Sequence, residues 1–412
     1  MNSGSFLKSL SPLLFRDRSV LIVLILSVFT VATYNQGQAR LFTQISMVLY
    51  ISLLSLTILL ENDSKMGVWG RQSFIFLILF ILIYIYSTVI TQSLVEVGMA
   101  VTLSSILIML LYLVPKAVSL NVFLHYIALL SALLGSLGLL PLLVGEFKIV
   151  VLPVELHTGH NIRILGTNVE VLRIQSVFGN PNGLARLVGP GSLVSAYLLL
   201  KTRKWRYLLF FSLSAICLYL TGSRSGSLIF FSGVLIYASL FIMNKLNIGS
   251  LSRVIVDCVF TTISLVIAIA LLGRIELLYL LPVDFTNRLL LWEATANLIR
   301  DNTIAGMGYN LGYDFMSPLL PERFEGYSPH NSYLRMFLHT GIVGGISYIL
   351  FHYIILSRFS RTNMSNEDQF LLSLTITMII IQLFETFSTI GLTHGSVISS
   401  ICLGYCLYRT AN

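Results

Sequence analysis

Apolar runs of roughly 20 residues recur along the whole chain, each long enough as a helix to cross ~30 Å of hydrocarbon. The residue-by-residue alternation of a membrane β-barrel is absent. Twelve candidate spans lie near 19–34, 42–60, 73–91, 98–115, 122–144, 183–200, 205–222, 226–244, 254–273, 331–356, 370–387 and 391–408. Composition agrees: 56% of residues are hydrophobic and 11% charged, where a soluble domain carries roughly 25% charged residues. The expected fold is an all-α polytopic membrane protein, with residues 1–412 forming a single integral membrane domain.

The formal charge of +8 raises two possibilities, a nucleic-acid surface or a positive-inside bias. Position decides between them. With the N-terminus inside, the inner segments collect Lys8, Arg16, Arg18, Lys65, Arg71, Lys116, Lys245, Arg253, Arg358, Arg361 and Arg409, and KTRKWR at 201–206 fills one short loop. An excess of Lys and Arg in short loops marks the cytoplasmic side. Nucleic acid is therefore not expected as a partner; the lipid bilayer is, with both termini cytoplasmic. No small-residue cleavage site follows the first apolar run, which reads as a retained span. Cys217, Cys258, Cys402 and Cys406 all fall inside spans and read as small packing residues.

Two segments on the opposite, outer face are much longer than the other connections, at 145–182 and 274–330. Loops of this length are usually functional. In the first, KIVVLPVEL and NVEVLRIQSVF have short-strand character, and GNPNG follows. In the second, NRLLLWEATANLIRD places Leu289, Trp292, Ala296 and Ile299 on one helical face, with Asn287 as a candidate cap. Such a helix either lies in the membrane interface or packs on other parts of the chain. Gly306, Gly308 and Gly312 imply turns beyond it.

Ionisable residues near a membrane are costly and mark candidate functional positions. Arg186, Arg224, Arg335, Glu385 and His394 all fall at the outer ends of spans. A transporter would place its polar groups near the midplane, where no such cluster is found. The planar donor fork of arginine suits phosphate oxygens, and fixed cations stabilise the charge that develops on a diphosphate leaving group. The alternative for each arginine is a side chain that snorkels to lipid headgroups. His330 is the best acid–base candidate, although on residue type alone a lone loop histidine is more often structural. Asn331 reads as a helix cap, as a residue orienting His330, or as a substrate contact. HTGH, with His157 and His160, reads as a solvated loop, with half a metal site as the alternative. No Walker loop, HExxH or GxSxG is present, and neither metal nor cofactor is expected.

His330 and Asn331 are followed by nine residues, Gly341, two residues and Gly344. This pattern resembles that of the O-antigen ligases and the related Wzy-type polysaccharide polymerases. FGNPNGLA at 178–185 resembles the superfamily's asparagine–proline–asparagine signature, TGSRSG at 221–226 its arginine turn, and NRLLLWEATANLIRDNTIAGMGYN the region ahead of its histidine. The resemblance covers about 173–345. It implies a GT-C-like membrane glycosyltransferase of the bacterial inner membrane, with its active site facing the periplasm or outside. Such enzymes move a glycan from undecaprenyl diphosphate to a sugar hydroxyl, with inversion and without a metal. His330 would activate the acceptor and Arg224 would hold the diphosphate. Arg186 and Arg288 would assist, and Asn180, Asn182, Asn331 and Arg335 would line the substrate site. The resemblance favours an O-antigen ligase acting on lipid A–core. A Wzy-type polymerase joining lipid-linked repeat units is the close alternative, and a lipid-linked oligosaccharide transporter is a second. Gly341 and Gly344 are expected to allow close helix packing.

Overall fold

A computed structural model of the protein describes residues 18–32, 49, 71–91, 94–149, 152–164, 167–246, 251–280, 288–308, 319–321 and 328–411. In chain order these form α1 (Arg18–Ala32), α2 (Arg71–Thr91), α3 (Leu94–Ala117), α4 (Leu120–Leu139) and α5 (Pro141–Val144). Three strands follow, β1 (Phe147–Ile149), β2 (Leu152–Ile164) and β3 (Thr167–Ser176), then α6 (Pro181–Thr202), α7 (Trp205–Thr221), α8 (Arg224–Lys245) and α9 (Leu251–Leu271). A 3₁₀ turn at Ile275–Leu280 precedes α10 (Arg288–Asp301), α11 (Ser332–Phe359), α12 (Asn366–Ile381) and α13 (His394–Ala411).

Among the described residues, 7 helices are long and apolar enough to cross a membrane: α2, α3, α4 continued by α5, α6, α8, α9 and α11. The segments expected at 19–34 and 205–222 form the shorter apolar helices α1 and α7. Those expected at 370–387 and 391–408 are helical over α12 and α13, and 42–60 lies outside the described residues. The surface is apolar where a soluble protein's would be polar. On α2, Ile75 is 59% exposed, Leu82 60% and Ile90 55%. A stripe of this kind fits a helix that faces lipid. Basic residues close the last turns of α6, α8, α11 and α13, at Lys201, Lys245, Arg358 and Arg409, where they complement the helix dipole.

The chain divides into two compact units. In the first, which includes 109–238 and 392–401, α4, α6 and α7 approach closely because small residues meet at their contacts. A Cβ on Gly191 would collide with Ser131, whose Oγ shares a hydrogen bond of 2.8 Å with Ser214 Oγ; one on Gly135 would meet Cys217 Sγ at 3.0 Å. Cys217 is buried in that contact, as a packing cysteine should be. The strand character of the first long segment is realised as an antiparallel sheet in the order β1-β2-β3. Its register sets Phe147 opposite Val154, His157 opposite Arg173 and Ile164 opposite Thr167. HTGH therefore lies within β2, at an irregularity between His157 and His160.

In the second unit, which includes 65–108 and 239–391, α11 packs on α2. Tyr348 lies against Phe80, with ring centroids 5.2 Å apart, and joins a buried network: its hydroxyl donates to Gln382 Oε1 at 2.8 Å and lies 3.1 Å from Thr389 Oγ1. His352 completes it, with Nε2 2.6 Å from Thr389 Oγ1. Gly344 admits α2 closely, since a Cβ there would meet Ile83 Cγ2 at 3.1 Å. Gly341 does something else. At φ 66° it breaks α11, and the carbonyls of Leu338 and His339 lose their helical partners. The backbone of 303–308 replaces them. Met307 N–H donates to Leu338 O at 2.7 Å, Gly308 N–H to His339 O at 3.0 Å, and Ile342 N–H to Thr303 O at 2.9 Å. A Cβ on Gly306 would fall on the backbone of Gly341, and one on Gly341 would fall on the backbone of Ile304.

Gly306→Ala and Gly341→Ala each combine a left-handed backbone with a backbone collision, so each is expected to cost about 3 kcal/mol or more. Gly98→Ala, where a Cβ meets nothing within 4 Å, is expected to be neutral. Thermal unfolding of the three detergent-solubilised variants checks this; equal stability would remove the break from the fold's requirements.

Candidate functional site

In the second unit the candidate residues gather at the start of α11. Asn331 is its N-cap: the side-chain Oδ1 accepts from Tyr333 N–H at 3.0 Å and Leu334 N–H at 3.1 Å. The residue is fully buried, and its Nδ2 has no hydrogen bond among the described residues. The next residue pins the helix to the segment that follows α12. Ser332 N–H donates to Gln382 O at 2.7 Å, and Ser332 Oγ lies 2.7 Å from both Glu385 O and Phe387 O. Arg335, one turn in and half-buried, donates from Nη1 to Thr386 O at 2.9 Å.

His330 itself has φ 46°, the left-handed region that side chains rarely occupy. It is half-buried. Both flanks hold it in that conformation: Asn331 and Ser332 fix the following backbone, and Trp292 fixes the preceding one. The indole Nε1–H of Trp292 donates to Pro329 O at 2.8 Å, with Trp292 only 1% exposed. Backbone held in a sparsely populated region by its surroundings is characteristic of functional sites. Arg288 opens the helix that carries Trp292 and is half-buried. Leu289, Trp292, Ala296 and Ile299 are each 1% exposed, so the packed reading of α10 prevails over an interfacial one. Asn287, its expected cap, lies outside the described residues.

In the first unit, Asn180 caps α6, its Oδ1 accepting from Gly183 N–H at 3.1 Å, and Pro181 occupies the first helical turn. Asn182 and Arg186 are half-buried along the first turns. The charge of Arg186 acts on His394, a buried ring 5.2 Å from that of Phe178. Arg224 is exposed and opens α8 directly after the turn. Gly222 adopts φ 57° there, Ser223 Oγ and Ser225 Oγ share a hydrogen bond of 3.0 Å, and Gly226 N–H lies 3.4 Å from Ser223 Oγ. The turn presses on α6: a Cβ on Gly226 would meet Ala185 Cβ at 2.7 Å, and one on Gly189 would meet Gly226 O at 2.9 Å. Asn180, Asn182, Arg186 and Arg224 thus form one neighbourhood, as Arg288, His330, Asn331 and Arg335 form another around α10 and α11.

Two residues at these places were not singled out from the sequence. Trp292 counted as part of an apolar face and of the segment resembling the family's region ahead of the histidine, with no role of its own. Arg173 on β3 reaches the arginine turn, where its Nε donates to Thr221 O and its guanidinium lies over Gly222. Partial burial lowers its pKa from the ordinary value, which is so high that the group stays charged. One sequence signal was available: in NVEVLRIQS, Arg173 falls at the same parity as Val169 and Val171, a lone cation in an apolar row.

The fold is that of a polytopic helical membrane protein with polar sites at helix ends. Residues 192–349 match the family model described as O-antigen ligase, Wzy_C. The match supports the O-antigen ligase/Wzy superfamily, a family of membrane enzymes of the ligase and polymerase type. It encloses Arg224, Arg288, Trp292, His330, Asn331 and Arg335, while Arg173, Asn180, Asn182 and Arg186 precede it. No curated protein matches the chain significantly.

Trp292→Phe keeps the ring and removes the N–H that holds Pro329. Loss of this buried hydrogen bond is expected to cost about 1 kcal/mol of stability, read as a lower thermal unfolding midpoint. An unaltered midpoint would deny Trp292 any part in holding the backbone ahead of His330.

Proposed function

We propose that the protein is a metal-independent, inverting membrane glycosyltransferase that uses a glycan linked to undecaprenyl diphosphate. What carries the reading is His330, held in left-handed backbone between Trp292 and the Asn331 cap, inside the segment that matches the O-antigen ligase family. His330 takes the proton from an acceptor sugar hydroxyl. The oxygen attacks the anomeric carbon as the bond from that carbon to the diphosphate oxygen breaks, inverting the centre. Undecaprenyl diphosphate leaves with the electron pair, and Arg224, helped by Arg186 and Arg288, stabilises the charge it gains. Asn180, Asn182, Asn331 and Arg335 serve as substrate contacts. The chemistry takes place on the periplasmic or outer face of the bacterial inner membrane, within a GT-C-like arrangement of about twelve spans.

The acceptor in this reading is lipid A–core, which makes the protein an O-antigen ligase. A polymerase shares the donor and the bond-forming step and differs in its acceptor, a second lipid-linked repeat unit.

His330→Ala is expected to lower kcat by roughly 10²–10⁴-fold, and Arg224→Ala by roughly 10²–10³-fold, with both proteins inserting normally. Normal transfer by both purified variants would refute the reading. Deleting the gene and sizing the surface glycan decides the acceptor. Glycan missing from lipid A with carrier-linked polymer retained identifies a ligase; single repeat units on an otherwise normal acceptor identify a polymerase.

A further inference from the structure

The strand β3 brings a cation, Arg173, to the arginine turn. Arg173 leans over Gly222, close enough that a Cβ there would meet its Nε at 3.1 Å and its Cζ at 3.8 Å. Gly222 begins the GSRSG turn that leads directly into Arg224. The same turn rests on α6 through Gly226, against Ala185, and through Gly189. Two arginines from two elements, Arg173 of β3 and Arg224 of α8, are therefore brought to one glycine-rich turn within one unit, and Arg186 follows Ala185 on the helix against which the turn rests. His157 pairs with Arg173 from β2.

A structural role accounts for part of this. Thr221 ends α7, and an arginine that donates to a terminal helix carbonyl satisfies that carbonyl and complements the dipole. That role uses Nε alone. The guanidinium has four further N–H donors on its two Nη groups, and among the described residues Arg173 forms no ion pair with a carboxylate. A half-buried cation in such a setting suits an anion. With its Nε anchored, the outer edge of the fork is oriented in advance for phosphate oxygens, which reduces the side-chain entropy lost on binding.

We propose that Arg173 is a diphosphate-binding residue, contributed by the β-hairpin to the site at the Thr221–Gly226 turn. The proposal rests on the donor reading given above and adds the hairpin to the donor site. The ligand chemistry is a diphosphate, taken here as the headgroup of the lipid carrier, with free pyrophosphate as the other source.

The test uses the full chain in nanodiscs. Wild type, Arg173→Ala, Arg173→Gln, Arg173→Lys and the hairpin control Leu172→Ala are compared for binding of undecaprenyl diphosphate and of inorganic pyrophosphate, with thermal unfolding measured in parallel. Arg173→Ala and Arg173→Gln are expected to weaken both ligands roughly 10-fold or more, the loss of one charge-assisted contact. Arg173→Lys should restore part of the affinity, and Leu172→Ala should match wild type. The Gln and Lys variants keep a long side chain over Gly222, so folded proteins that differ in charge can be compared. Weakening of pyrophosphate alone would overturn the lipid-headgroup assignment. Unchanged binding in Arg173→Ala, or rescue by Gln as complete as by Lys, would reduce Arg173 to an anchor of the hairpin. Wild type that binds neither ligand would overturn the donor reading itself; wild type that binds both equally with Arg173→Ala overturns only this assignment.

Discussion

Hydrocarbon offers no water to a backbone carbonyl that has lost its helical partner. That constraint governs the second unit, because α11 breaks at Gly341. The freed groups are met by the backbone of 303–308, which runs directly on from α10. Filling the break thus fixes the end of α10, and α10 carries Trp292 to Pro329. The conformation of His330 is the last link of this chain. A glycine eleven residues beyond the histidine and a tryptophan well before it act on the same backbone. The reason is that one break must be satisfied, not that either residue touches a substrate.

The first unit is organised differently. Its helices approach through glycine and serine contacts, and its arginine turn is shaped by the closeness of α6 and α8. The glycines of TGSRSG are explained by this: Gly226 gives room to Ala185, and Gly222 gives room to Arg173. Neither requires a bound ligand. The same closeness sets the head of α8, where Arg224 is exposed, against the first turns of α6, which carry the half-buried Arg186.

Much of this was legible in the sequence because it depends on local pattern. Apolar length gave the membrane helices, KIVVLPVEL and NVEVLRIQSVF showed strand character without their pairing, and the period of Leu289, Trp292, Ala296 and Ile299 gave one apolar face of α10 without deciding between lipid and protein as its partner. Asn331 was legible as a cap because a cap is a local device. What stayed hidden depends on partners distant along the chain. Trp292 and Pro329 are 37 residues apart, and Arg173 and Thr221 are 48 apart. Gly341 matched a spacing, yet spacing does not show that a glycine breaks a helix instead of easing its packing. Its positive φ follows from the segment that docks against it, which no local window contains.

The hairpin carries a consequence for how such chains tolerate insertion and deletion. Long surface segments usually absorb length changes without harm. Here β3 is tied at Arg173 to the end of α7, and α6 begins at the cap Asn180. Strand side chains alternate between faces, so one residue inserted between Thr167 and Arg173 turns the guanidinium to the opposite side of the sheet. Two residues inserted there would restore its direction but move it along the strand by about 7 Å. Length variation in this family of folds should therefore be excluded from β3, however variable the rest of the 145–182 segment is.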